Sequence, residues 1–232
     1  MCVIIAMEEK VPSLEIMELC EKKNSHGGGI SWIDNGKVHW KKGIKAKEIH
    51  EIAIEFGPPC IAHFRISTVG GTPKTLCHPF PIVKTSDDFL EGSGDSVLFH
   101  NGHWTDWQKF CMNLVVNKNA VFGEGDWSDS KALAWVTAHS NHSFMHFLER
   151  QRVAIQTPKA RIYYGSWEKK DDVWYSNLNW DTPKHDLSKY WKEQGYQYGY
   201  NDKGEFLYGD LDKACEEAVA IDDKNEKTGW CK

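Results

Sequence analysis

Met1-Cys2-Val3-Ile4-Ile5-Ala6 opens the chain, and its reading decides the fold. Val3-Ile4-Ile5-Ala6 is continuously apolar and largely β-branched, the pattern of a strand buried on both faces, which fixes the terminus in a core. An initiator methionine is normally trimmed ahead of a small side chain, so Cys2 is expected to carry a free α-amino group. Such an amine titrates at about 7.7–8.0 and a thiol at about 8.5, so at neutral pH the amine has an unprotonated fraction able to take the thiol's proton. The residue would then be a nucleophile with its own base. A buried strand also accommodates an inert cysteine, and position alone leaves both readings open.

Composition narrows the classes. The chain has 232 residues, room for one large domain or two small ones. Its formal net charge of −5 and pI near 6.1 give no basic excess, so nucleic-acid binding is not expected; the 11 tryptophans read as core and pocket packing. No apolar run has the length of a membrane span, and the start lacks the basic, then long apolar pattern of a signal peptide, so a cytosolic protein is expected. The seven cysteines form no paired framework and read as free thiols in a reducing compartment. Cys60 and His63, Cys77 and His78, and His100 and His103 lie at metal-ligand separations, but none joins a second matching pair, and no metal is expected.

Pro12-Ser13-Leu14 opens a helix with Leu14, Met17 and Cys20 on one face and Lys22-Lys23 at its C-terminus. The three glycines of Asn24-Ser25-His26-Gly27-Gly28-Gly29 are costly in a regular element and predict a loop with close backbone approach. Asn35-Gly36 between two apolar runs predicts a type I′ hairpin. Ile49, Ile52, Ala53 and Phe56 repeat at helical spacing until Gly57-Pro58-Pro59. In the strand from Cys60 to Thr68, alternation sets Cys60, Ala62, Phe64 and Ile66 on one face and His63, Arg65 and Ser67 on the other, where the guanidinium could hold a substrate carboxylate. Ser96 to His100 is a further strand, followed by Asn101-Gly102, which can turn a hairpin or supply two donors to one oxyanion. The helix after it carries Trp107, Phe110, Cys111 and Leu114 on one stripe. Ser128 or Asp129 caps a helix running to His139. Residues 161–165 and 173–177 read as paired strands, and Asp212 to Ala220 as a helix. No linker or repeat forces a second domain.

In their order, Cys2, His26-Gly27-Gly28-Gly29, the run from His63 to Thr68, Cys77-His78-Pro79-Phe80, His100-Asn101-Gly102 and Ser128-Asp129-Ser130 resemble the class II glutamine amidotransferases, which are N-terminal-nucleophile hydrolases. The resemblance spans roughly residues 2–180. It implies an α+β fold, a four-layer αββα sandwich of two antiparallel sheets between helical layers. Cys2 would be the nucleophile and its α-amine the base. Arg65 would bind the glutamine α-carboxylate and Asp129 the α-ammonium. Asn101, by its side chain, and Gly102, by its N–H, would form the oxyanion hole, with Thr68, Gly27 and Gly28 as further pocket residues. Val69 stands where several family members have histidine.

Family members that build amino sugars, purines or asparagine carry a synthase domain as well. A chain of this length leaves no room for one, and no nucleotide or iron–sulfur motif follows residue 150. The expectation is one domain over 2–232, with 184–232 an extension, needing no cofactor. It would act on glutamine or another γ-glutamyl amide, alone or with a separate ammonia-accepting synthetase subunit. A binding or regulatory protein that keeps the fold without the reaction is the remaining alternative.

Overall fold

The computed structural model describes residues 2–67, 71–85, 88–123, 125–140 and 151–181, and the backbone of 199–200 and 206–207. The chain divides into two compact units, Met1–Asp181 and Thr182–Lys232. In the first, in chain order, lie β1 (Val3–Met7), α1 (Leu14–Lys23), β2 (Gly28–Asp34), β3 (Lys37–Ile44), α2 (Ala46–Phe56) and β4 (Cys60–Phe64). There follow β5 (Phe80–Pro81), β6 (Glu91–Gly94), β7 (Val97–Asn101), α3 (Trp107–Lys118) and α4 (Asp129–His139). The last are β8 (Arg152–Gln156), β9 (Arg161–Tyr164), β10 (Glu168–Lys170) and β11 (Val173–Tyr175). In the second unit β12 (Gly199–Tyr200) pairs antiparallel with β13 (Phe206–Leu207). The helix expected at 212–220 lies outside the described residues.

The strands of the first unit form two antiparallel sheets, one of seven strands in the order β10-β11-β1-β4-β2-β3-β6 and one of four in the order β5-β7-β8-β9. Strand alternation sorts the apolar residues into three cores. From β1, Val3, Ile5 and Met7 point to one side, where they meet Met17 and Cys20 of α1 and Ile49 and Ala53 of α2. Ile4 points the other way and joins Ile61, Val97, Phe99 and Ala154 between the sheets. Leu98, Val153 and Ile155 leave the far side of the second sheet to pack on Cys111 and Leu114 of α3 and Leu133 and Val136 of α4. Three cores between four layers make the αββα sandwich. All five residues of β1 have no exposed surface, and burying each large side chain is worth about 1.5–3 kcal/mol.

Local chemistry fixes the element ends. Ser13 Oγ accepts from Ile16 N–H at 3.4 Å and Ser128 Oγ from Lys131 N–H at 3.2 Å, so both serines cap their helices. Asn35 and Gly36 have φ of 49° and 71°, the type I′ geometry expected. Gly57 ends α2 with φ of 69°.

Three expectations change. Gly28 and Gly29 belong to β2 rather than to a loop; a Cβ on Gly29 would stand 2.1 Å from His78 O and one on Gly28 2.7 Å from Ile49 Cδ1, so neighbours occupy the space of a side chain. Residues 161–165 and 173–177 do not pair: β9 joins β8 in one sheet, and β11 joins β1 and β10 in the other. The turn that makes β10 and β11 a hairpin is Asp171-Asp172, with φ of 50° and 65°, a geometry aspartate tolerates. On the helical stripes, Ile49 and Ala53, and Cys111 and Leu114, are buried, whereas Phe56 and Phe110 are 39% and 45% exposed.

Candidate active site

Sheet register brings the start of β1 beside the end of β4, with Val3 opposite Phe64, so Cys2 and the segment from Arg65 to Ser67 leave the sheet together. The end of β7 and the start of α4 complete a cavity lined by Cys2, Arg65, Ser67, His78, His100, Gly102, Asp129 and their neighbours. Cys2 is partly exposed. Its sulfur takes the Ile66 N–H at 3.3 Å and lies 3.4 Å from the Ile66 carbonyl. Burial pushes the thiol pKa up, opposed by the Ile66 N–H and by the nearby Arg65 charge.

The Cys2 carbonyl accepts from Asn101 Nδ2 and from Asn177 Nδ2, each at 2.8 Å. Asn101 Nδ2 also donates to Ser176 Oγ at 2.9 Å, and that hydroxyl accepts from Ile4 N–H at 2.8 Å. The two expected oxyanion donors therefore stand differently: Gly102 lines the cavity, while the Asn101 amide holds the Cys2 main chain.

Arg65 is 4 % exposed and its Nη2 donates to Ser67 Oγ at 3.0 Å. The glycine loop sets its backbone. Arg65 N–H donates to Gly27 O, and His26 N–H to Arg65 O, both at 2.9 Å; Ser67 N–H donates to His26 Nδ1 at 2.8 Å. Gly27, at φ of 108°, has Cys77 Sγ where a Cβ would go. Gly27 and Gly28 thus hold the backbone at Arg65 and Phe64. Thr68 lies outside the described residues.

Asp129 begins α4 and leaves the capping to Ser128. Its Oδ2 accepts from Trp104 N–H and its Oδ1 from Ser130 N–H, both at 2.9 Å, and His103 Nδ1 lies 3.5 Å from Oδ2. A carboxylate in the first turn of a helix is favoured by the aligned peptide dipoles.

Three histidines cluster at the cavity, two of them, His78 and His100, in its wall. His100 is buried, with Nδ1 2.9 Å from Ser130 Oγ and Nε2 facing Gln151 Oε1. Burial lowers its pKa against the opposing pull of Asp129. His78 lines the cavity and packs against His63 with ring centroids 4.0 Å apart and a tilt of 45°; among the described residues no ring nitrogen of either has a hydrogen-bond partner. Cys60 faces the helical core, away from His63 on the same strand. Among the described residues no group of three His, Cys, Asp or Glu side chains could hold a metal. No described helix is long and apolar enough to cross a membrane.

His78, His100 and Ser130 stood within the quoted motifs without a role. Gln151, Ser176 and Asn177 carried no sequence signal: each acts on a partner dozens of residues away or more.

The helical layers and the two antiparallel sheets, with Cys2 just before β1, make an N-terminal-nucleophile hydrolase-like αββα fold. Solved structures share it. The "allosteric regulatory enzyme of purine biosynthesis" superposes with a TM-score of 0.52 at 20% identity, over 75% of this chain and 41% of that one. Glutamine phosphoribosylpyrophosphate (PRPP) amidotransferase from B. subtilis, complexed with ADP and GMP, superposes with a TM-score of 0.50 at 17% identity, again over 75% and 41%. At these identities the likeness is one of fold, and the chain spans well under half of each neighbour's length. No family model and no curated protein matches the sequence.

Proposed function

We propose that this chain is a glutamine-hydrolysing domain of the class II amidotransferase type, with Cys2, freed of Met1, as nucleophile. One observation carries the reading: the Cys2 thiol, a buried guanidinium, a buried carboxylate and Gly102 line a single cavity. Free glutamine presents a carboxylate and an ammonium on one carbon, and a buried site must complement both or leave a charge unpaired. Arg65 and Asp129 are that complement.

The α-amine takes the Cys2 proton as Sγ attacks the side-chain carboxamide. The resulting oxyanion is met by the Gly102 N–H, and such a donor is worth about 2.7–4 kcal/mol. The Asn101 amide contributes by fixing the Cys2 main chain, or by turning to the oxyanion as the intermediate forms. The protonated amine then gives its proton to the departing nitrogen, ammonia leaves, and water cleaves the γ-glutamyl thioester to glutamate. Free cysteines, including Cys2, Cys20 and Cys60, suit a reducing compartment such as the cytosol. A separate synthetase subunit could take up the ammonia.

The test is intact mass spectrometry with a diazoketone analogue of glutamine, together with assays for ammonia and glutamate. A species lacking Met1, with one adduct on Cys2 that free glutamine suppresses, and equal yields of ammonia and glutamate lost in Cys2→Ala, supports the reading. Retained Met1 with no adduct points to a binding protein on this fold. Turnover of a larger γ-glutamyl amide with none of glutamine moves the substrate and keeps the nucleophile.

A further inference from the structure

We infer that Gln151 is a positioning residue: it clamps the Gly102 turn and, through His100 and Ser130, ties that turn to Asp129. This rests on the glutaminase reading above for its catalytic meaning, but its geometry is independent of it.

Gln151 stands just before β8, whose first residue, Arg152, pairs with Asn101 at the end of β7. From there its side chain bridges the turn. Nε2 donates to His103 O at 2.8 Å, and Oε1 faces His100 Nε2, so one amide spans Asn101-Gly102 from both sides. It also packs closely on Gly102: a Cβ there would stand 2.9 Å from Gln151 Cβ, Cγ and Oε1. Any larger residue at 102 would displace the clamp, and loss of the clamp frees the turn carrying the Gly102 N–H.

The bonds also fix a tautomer. Nε2 of Gln151 is the donor to a carbonyl, so its Oε1 can only accept, and His100 must carry its hydrogen on Nε2. His100 Nδ1 is then an acceptor, and its partner Ser130 Oγ is the donor. Burial holds the imidazole neutral, in agreement. Ser130 in turn gives its backbone N–H to Asp129 Oδ1, while Trp104, two residues past Gly102, gives its N–H to Oδ2. The turn proposed to meet the oxyanion and the carboxylate proposed to meet the ammonium are therefore held by one hydrogen-bonded chain. A misplacement of about 1 Å in such a constellation can cost about a hundredfold in rate.

Gln151→Met keeps the side chain's bulk and removes both bonds. Two measurements on the full chain test it: the nitrogen-15 imidazole spectrum of His100, and the kinetics of glutamine hydrolysis. In the wild type His100 is expected as the pure Nε2–H form, and in Gln151→Met as a mixture of tautomers, with kcat at least tenfold lower and KM changed less than threefold. Gln151→Glu keeps an acceptor for His100 but puts a carboxylate against the His103 carbonyl; it is expected to retain the tautomer and still lose kcat, and it serves should the methionine variant not fold. A wild-type kcat in a folded variant overturns the inference and leaves the glutaminase reading standing. A wild type that ignores glutamine yet shows the locked tautomer, released in Gln151→Met, overturns the glutaminase reading and upholds the clamp.

Discussion

The Cys2 sulfur sits between the two polar groups of one residue, 3.3 Å from Ile66 N and 3.4 Å from Ile66 O. The N–H favours the thiolate and the carbonyl favours the thiol. Burial raises the pKa, and of the side chains nearby Arg65 opposes it. Arg65→Ala should therefore shift the pH profile of Cys2 alkylation by iodoacetamide to higher pH, and Arg65→Lys, which keeps the charge, should shift it less. Coincident profiles for all three proteins would remove the arginine from the thiol's electrostatics.

Arg65 and Asp129 should discriminate between amides by charge. Loss of a charge-assisted hydrogen bond costs about 1.5–3 kcal/mol, roughly a ten- to hundredfold rise in KM. Asp129→Asn should show that rise with glutamine but not with N-acetylglutamine, which has no ammonium. An equal penalty on both substrates would mean that Asp129 serves the turn alone.

His63 and His78 should make the fold acid-sensitive. Burial holds both neutral, with the His63 pKa lowered to about 3 and that of His78 well below its ordinary value. In the unfolded chain each titrates at about 6.5. Below that pH the unfolded state takes up protons that the folded state refuses, so stability is full above about 6.5 and falls as pH drops toward the folded values. Each histidine contributes a slope of about 1.4 kcal/mol per pH unit in that window. His63→Leu should lose about 2 kcal/mol less than the wild type between pH 7 and pH 5, read by urea denaturation at each pH.

Two glycines should respond oppositely in size to the same change. Gly29→Ala forces a methyl to 2.1 Å from His78 O and 2.8 Å from Lys42 Cβ, and should cost about 3 kcal/mol or more, beyond common overpacking. Gly36→Ala meets open space and suffers only its φ of 71°, about 1 kcal/mol. Thermal unfolding of the two variants side by side checks the order.

What the sequence made legible follows from the range of the forces involved. The run from Val3 to Ala6 announced a strand with two dry faces, and it lies between the helical core and the sheet-to-sheet core. The caps at Ser13 and Ser128 and the Asn35-Gly36 turn act within a few residues and were visible for that reason. Pairing partners were harder. Residues 161–165 and 173–177 look alike as strands, yet the short β10, with its Asp171-Asp172 turn, takes the second into the other sheet. Gly28 and Gly29 misled because the reason for them is a neighbouring chain segment, not their own conformation. In the site, charged residues on strand or helix ends stood out, whereas Asn177 meets Cys2 across 175 positions through one amide, which no periodicity reports.

The double hold on the Cys2 carbonyl, from Asn101 and Asn177, has a mechanical meaning. With the strand behind it sealed in core on both faces and its carbonyl pinned, the residue cannot slide or pivot as a whole. Its sulfur moves by a single torsion, Cα–Cβ, and sweeps a short arc. On the glutaminase reading, a nucleophile so tethered would not search for its target; the pocket would have to deliver the scissile carbon onto that arc, and the choice of amide would belong to the walls.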